Sequence, residues 1–261
     1  MRLLVQSDDY GITEGVSCGI IKAISKGIVR NTGMFANMPW AEEAVSMIRP
    51  FLNEICFGID LNINAGFPCA NPKEIPSLVQ DDGSFLTSSM SRQLDKNPGD
   101  GSHCVYEHIL MEFCSQIERF KQLVGKTPDY INGHAYMPDI VMRALNECSE
   151  RYNVPLSFNL WKNNNVFLGS SSWYTQVLEG VPQKDVDVKG FILGDKGNLL
   201  KHELSAIVCH CGYVDAPLLR LSSYNIIRAK DLDAMTDNRV LDWIKINNIE
   251  LITYRDLNYY K

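Results

Sequence analysis

The chain has 261 residues, 45% of them hydrophobic and 21% charged, enough for a full core and unlike a disordered chain. The net charge of −6 comes without any Lys/Arg-rich run, which argues against a nucleic-acid partner. No apolar run is long enough to span a membrane, and Met1 leads straight into a strand-like segment without a leader pattern. The expectation is a soluble, cytoplasmic protein, with a homodimer as the expected assembly.

Apolar runs and amphipathic stretches alternate from the start. The periodicity predicts strands at 3–7, 32–37, 55–62, 130–134, 156–160, 188–193, 206–210 and 250–254. Helices are predicted at 14–26, 40–49, 105–124, 138–152, 171–178 and 229–247. The helix at 105–124 is the clearest, with Ile109, Phe113, Ile117 and Phe120 on one face. Such alternation predicts an α/β protein with a mostly parallel sheet, open or closed into a barrel. A length of 261 residues suits one undivided domain, 1–261. Residues 67–103 interrupt the pattern with Pro68, Pro72, Pro76, Asp82-Gly83 and Pro98-Gly99, and read as a long irregular insertion of the kind that forms a lid or a substrate wall.

Eight cysteines are spread along the chain with no CxxC pair. Most sit in apolar segments, where Cys behaves as a small hydrophobe. In Cys209-His210-Cys211 a strand would turn the two sulfurs away from the imidazole, so a zinc-thiolate site is not expected.

The candidate chemistry lies at strand ends. The first predicted strand runs into the adjacent carboxylates of Asp8 and Asp9, followed by Tyr10-Gly11 and a helix cap at Thr13. Two neighbouring carboxylates repel, so the pair is either a solvated turn or a site for a metal, for proton transfer, or for both. Asp60 lies inside the third run, His134 ends the fourth and His210 the seventh. In a parallel sheet these ends share one face, where α/β folds keep their chemistry. Asp, Asp and His make an oxygen- and nitrogen-rich set suited to zinc, magnesium or manganese, which would lower the pKa of a bound water. No phosphate-binding Gly-rich loop and no GxSxG elbow occurs.

Several ordered stretches resemble the YdjC-like family of carbohydrate deacetylases, which includes chitooligosaccharide deacetylases. Ser7-Asp8-Asp9-Tyr10-Gly11 resembles the family's opening A-D-D-F-G, and Gly27-Ile28-Val29-Arg30-Asn31-Thr32 its G-I-V-T-S-T. Gly58-Ile59-Asp60-Leu61-Asn62 resembles G-L-H-L-N, Pro128-Asp129-Tyr130-Ile131-Asn132-Gly133-His134 resembles P-T-H-I-D-G-H, and His210-Cys211-Gly212-Tyr213-Val214-Asp215 resembles H-P-G-Y-V-D. Ile75-Pro76-Ser77-Leu78-Val79, Glu112 with Gln116, Arg228 and the closing Ile252-Thr253-Tyr254-Arg255-Asp256-Leu257 also fit, so the resemblance covers nearly the whole chain.

The resemblance implies a distorted, TIM-like (β/α) barrel of seven or eight mostly parallel strands. It implies hydrolysis of the N-acetyl group of an amino sugar or short chitooligosaccharide, with one divalent metal ion (Mg2+, Mn2+ or Zn2+). By position, Asp8 would be the general base and Asp9, Asp60 and His134 the metal ligands. His210 would be the general acid or would stabilise the tetrahedral intermediate. Substrate contacts are expected from Tyr10, Asn62, Phe67, Tyr213 and Arg228. The sequence departs from the pattern at Asp60, where the family has a His, at Asn132 in place of an Asp, and at Tyr136 and Ser157. These departures motivate an alternative, a sugar-binding or regulatory member with impaired catalysis.

Overall fold

A computed structural model describes residues 1–169 and 171–259. In chain order the elements are β1 (Arg2–Tyr10), α1 (Glu14–Lys26), β2 (Asn31–Met34), α2 (Ala41–Ile48), β3 (Cys56–Leu61), α3 (Ser88–Leu94), α4 (Tyr106–Val124), β4 (Ile131–Gly133), α5 (Asp139–Tyr152) and α6 (Ser157–Asn163). Then come β5 (Phe167–Leu168), α7 (Ser171–Leu178), α8 (Val188–Leu193), β6 (Leu204–Cys209), α9 (Ala216–Leu221), α10 (Ile226–Met235), α11 (Asn238–Ile246) and β7 (Glu250–Ile252). No helix among the described residues is long and apolar enough to cross a membrane.

All strand pairs are parallel, in the order β4-β3-β2-β1-β6-β5, with β7 also pairing with β1. The sheet curls into a distorted half-barrel with helices around it, as the alternation of elements predicts. β1 is its centre: beyond Arg2 every residue is buried, as a strand covered on both sides requires. Leu3 and Val5 pack outward with Val16 and Ile20 of α1, while Leu4 packs inside with Tyr130, Ala206 and Tyr254.

The period-2 alternation then carries polar groups up the barrel interior. Above Leu4 come Gln6 and Asp8; above Cys56 come Gly58 and Asp60; above Tyr130 come Asn132 and His134. A Cβ at Gly58 would lie 2.5 Å from the Tyr130 ring, so the lower interior has no room for a side chain there.

Four predicted elements take a different form. Residues 156–160 form no strand: Leu156 alone bridges to Ile131, and α6 starts at Ser157. Residues 188–193 are the helix α8, started by the Asp187 side chain accepting the Gly190 N–H at 2.9 Å. Both are short apolar runs that periodicity cannot assign. The predicted helix at 229–247 is two helices, because Asp237 starts α11 by capping Arg239 N–H at 2.8 Å. The insertion holds a 3-10 turn at Pro72–Glu74 and the short α3, capped by Thr87.

Candidate active site

At the carboxyl ends of the strands lies a cleft of about 550 Å³. Its floor is Asp9, His134, His210 and Arg228; Tyr174 of α7 and Tyr224 form one wall, and Thr87, Ser88, Ser89 and Arg92 of the insertion the other. The insertion is thus a wall of the cleft. Arg92 Nη2 donates to Ala135 O at 3.2 Å, and Tyr136 Oη donates to Asp95 at 2.6 Å, which ties this wall to the turn after His134.

Strict alternation would point Asp8 and Asp9 to opposite faces. The register of β1 with β2 shifts between Ser7 and Tyr10, and Asp9 adopts a left-handed φ of 70°. This bulge re-aims Asp9 at the cleft. A non-glycine residue there is strained and is held by its surroundings. The Asp9 N–H donates to Asp60 Oδ2 at 2.8 Å, and Thr32 Oγ1 donates to Ser7 O at 2.6 Å just before the bulge.

The Asp9 carboxylate is fully buried yet surrounded by cationic and imidazole groups. Arg228 Nη2 lies 2.5 Å from Oδ2, His210 Nε2 lies 3.9 Å from the same oxygen, and His134 Nδ1 lies 2.9 Å from Oδ1. The last contact lacks hydrogen-bond alignment, so Oδ1 has no hydrogen-bond partner. Burial alone would raise this carboxyl, but His134, Arg228 and His210 outweigh it and hold it well below the usual carboxylate range. Asp9 is an anion at neutral pH.

His210 is its electrostatic opposite. Burial pushes its imidazole down to about 3, against the pull of Asp9, so the ring is neutral at pH 7. Tyr174 Oη hydrogen-bonds Nδ1. Burial raises the Tyr174 phenol, so the hydroxyl keeps its proton and donates. That arrangement leaves the ring's one N–H on Nε2, the nitrogen that lies 3.9 Å from Asp9 Oδ2. Asp231 Oδ2 accepts the His210 backbone N–H at 2.8 Å and is itself lifted to about 7 by burial.

Asp8 and Asp60 lie beneath this floor and do not line the cleft. Asp8 is 9% exposed and Asp60 1%. Gln6 Nε2 donates to Asp8 Oδ1, and Tyr254 Oη donates in turn to Gln6. Asn132 Nδ2 reaches Asp60 Oδ1 at 3.2 Å and Asp8 Oδ2 at 3.4 Å, and Ser157 Oγ donates to Asn132 Oδ1 at 2.7 Å. Burial raises both carboxyls, with further push from Asp60 and Asp9 on Asp8, and from Asp9 on Asp60, which reaches about 7.

The expected metal set does not fit one ion as these side chains lie. Asp9 and His134 face each other at the cleft floor, but both Asp60 oxygens are engaged below it, by the Asp9 N–H and by Asn132. Among the described residues no three His, Cys, Asp or Glu side chains converge as a metal cage.

The expected substrate contacts separate sharply. Arg228 is on the floor. Tyr10 is fully buried and donates to Ala44 O at 2.6 Å, because the bulge turns it to the helix side, so it is a core residue. Asn62 is buried and builds the turn after β3, accepting from Asn64 and Ala65 N–H. Phe67 and Tyr213 are exposed but outside the cleft lining. Cys209 and Cys211 are buried with sulfurs 3.7 Å apart. Sequence reasoning missed Tyr174, Tyr224 and Asp231, which come from helices and loops with no strand-end signal.

Residues 2–246 match the YdjC-like protein family. A carbohydrate deacetylase of Clostridium beijerinckii is 31% identical over 98% of this chain and 100% of its own. A carbohydrate deacetylase of Thermoanaerobacter pseudethanolicus is 31% identical over 97% of both chains. A crystal structure from Enterococcus faecalis V583, of a protein provisionally assigned to cellobiose-phosphate cleavage, shares the fold with a TM-score of 0.77 at 23% identity over 97% of both chains. The bulged acidic strand end, the two strand-end histidines and the match along the sequence lead to one conclusion: this chain belongs to the YdjC-like protein family.

Proposed function

We propose that this chain hydrolyses the N-acetyl group of an amino sugar, as the monosaccharide or a short chitooligosaccharide, and releases acetate. The reading rests on relatives named carbohydrate deacetylases. The observation that carries it is the convergence of an anion, two imidazoles and a buried guanidinium on one cleft.

In this reading water adds to the acetyl carbon, the C–N bond breaks, and the amine leaves with a proton. Negative charge develops on the carbonyl oxygen. The neutral His210, with Tyr174 fixing its Nδ1, offers the Nε2–H to that oxygen, and the Arg228 guanidinium adds positive charge beside it. Asp8, 9% exposed beneath the floor, is the proposed acceptor of the water's proton through one bridging water, and it returns that proton to the leaving amine. The hydroxyls of Ser88, Ser89, Ser222 and Ser223 on the cleft walls suit a sugar. No step is assigned to a metal, because Asp60 does not join Asp9 and His134.

A member that binds sugar without turnover is the second reading, favoured by the position of Asp60 below the cleft. The deciding experiment is acetate release from N-acetylglucosamine and its β-1,4 oligomers, without metal and with magnesium, manganese, zinc or cobalt added. Acetate that disappears in Asp8→Asn and His210→Gln supports hydrolysis. No acetate in any condition, together with a melting temperature raised by the saccharide, supports the second reading.

A further inference from the structure

Ser157, Asn132 and Asp60 are joined by hydrogen bonds into one line that ends at the backbone of Asp9. Ser157 Oγ donates to Asn132 Oδ1 at 2.7 Å, Asn132 Nδ2 donates to Asp60 Oδ1 at 3.2 Å, and Asp60 Oδ2 accepts the Asp9 N–H at 2.8 Å. Ser157, Asn132, Asp60 and Asp9 are all at most 3% exposed, so each bond is made in a dry interior where an unmatched partner is costly. We infer that Ser157, Asn132 and Asp60 act as a single positioning relay that holds the backbone of Asp9 in its left-handed bulge and so aims its carboxylate at the cleft.

The direction of the donors carries the argument. An Asn side chain can present either its oxygen or its NH2 to a neighbour. The Ser157 hydroxyl claims the Asn132 oxygen, which leaves only the NH2 to face the two carboxylates below the cleft. Without that hydroxyl the amide is free to turn, and its oxygen would then meet the oxygens of Asp8 and Asp60. Asp60 passes the constraint on, since its second oxygen is the acceptor for the Asp9 N–H.

The neighbouring strand is shaped to admit Asp60. A Cβ at Gly33 would lie 1.8 Å from Asp60 Oδ1, so only glycine leaves the carboxylate its place. At the far end of the relay, Asp9 holds a φ of 70°, a strained conformation that persists where the surroundings over-determine it. A carboxylate displaced by even an ångström loses much of its catalytic value. On this account Asp60 is a positioning residue, and Ser157 and Asn132 are the partners that orient it.

The kinetic part of the test rests on the deacetylase reading; the stability part does not. Asp60→Asn, Ser157→Ala and the double variant are each assayed for kcat, KM and melting temperature. Ser157 touches neither the cleft nor a carboxylate, so Ser157→Ala is the mild probe of the relay should Asp60→Asn fold poorly.

The relay predicts that each single variant lowers kcat about tenfold, with KM within about twofold, and that the double variant falls no further than Asp60→Asn alone. The losses in melting temperature should be equally non-additive. Additive losses, near a hundredfold in kcat for the double variant, would overturn the relay. So would coupling in melting temperature with kcat unchanged, since that describes packing without positioning.

A manganese titration followed by calorimetry separates positioning from ligation. Asp60→Asn should take up the ion as the wild type does; loss of binding in that variant alone would make Asp60 a ligand and overturn the inference. If the wild type releases no acetate, the deacetylase reading fails; additive losses in melting temperature would still overturn the relay, and non-additive losses would support the coupling of Ser157 to Asp60 on which it rests.

Discussion

The cleft floor and the layer beneath it are built from the same kinds of residue and differ in what surrounds them. On the floor, Asp9 meets Arg228, His134 and His210, and its carboxyl is held far below the usual range. One layer down, Asp8 and Asp60 meet amides, a glutamine and each other, and burial lifts both. The bulge in β1 separates adjacent aspartates into these two environments. Adjacent residues of one chemistry thus become a fixed anion and a carboxyl able to hold a proton, a division that suits acid–base work.

The sharpest way to break this comparison is to neutralise the floor. Asp9→Asn should lower acetate release about a thousandfold, because the anion that organises two imidazoles and a guanidinium is gone. It should also cost on the order of 3 kcal/mol in urea unfolding, since Arg228 stays buried without its counter-charge. Retained activity would remove Asp9 from the site.

His210→Gln probes the neutral side of the floor. It should lower kcat about a hundredfold, in line with losing one preorganised oxyanion donor, while the melting temperature moves little. A loss in KM alone would show that His210 binds substrate and does not stabilise the transition state.

Asp231 gives a pH test of how burial acts beside the floor. Its folded value is about 7 against an ordinary 3.8, so between those values the folded chain holds a proton that the unfolded chain releases. Stability from this group is full at acid pH, falls as pH rises through that window, and levels off above about pH 7. Asn at this position still accepts the His210 N–H and does not titrate. Melting curves of Asp231→Asn and wild type should therefore diverge in favour of the variant by on the order of 5 °C between pH 4 and pH 7.5. Parallel curves would show that Asp231 is not perturbed in the folded chain.

The smallest expected effects lie outside the cleft. Phe67→Ala and Tyr213→Ala should leave KM within about twofold, as ordinary surface positions do. A large rise in KM for either would extend the substrate site beyond the cleft described.

Much of this was legible in the sequence because a parallel sheet gathers strand ends. Asp9, His134 and His210 could be assigned to one face from their place after apolar runs, and Thr13 from its place before a helix. The bulge could not be read: alternation alone sends Asp8 and Asp9 to opposite faces, and nothing local announces the left-handed turn at Asp9. Tyr10, which the resemblance places at the substrate, is instead in the core, because the bulge turns it to the helix side. Tyr174 and Asp231 reach His210 from helices far along the chain, where their spacing looks like ordinary packing. The apolar run at 188–193 reads as a strand, yet the Asp187 side chain accepts the Gly190 N–H and starts a helix there.

Among the described residues three strands, β4, β5 and the three-residue β7, each have an edge without a hydrogen-bonded neighbour strand, and all are brief. β5 has two residues, and β4 has three, extended only by the bridge from Ile131 to Leu156. Exposed edges invite a second chain to add on, and very short ones offer too few N–H and C=O groups to start it. The incomplete closure of this sheet therefore carries little aggregation hazard: its free edges are too short to act as a template for a stacking copy.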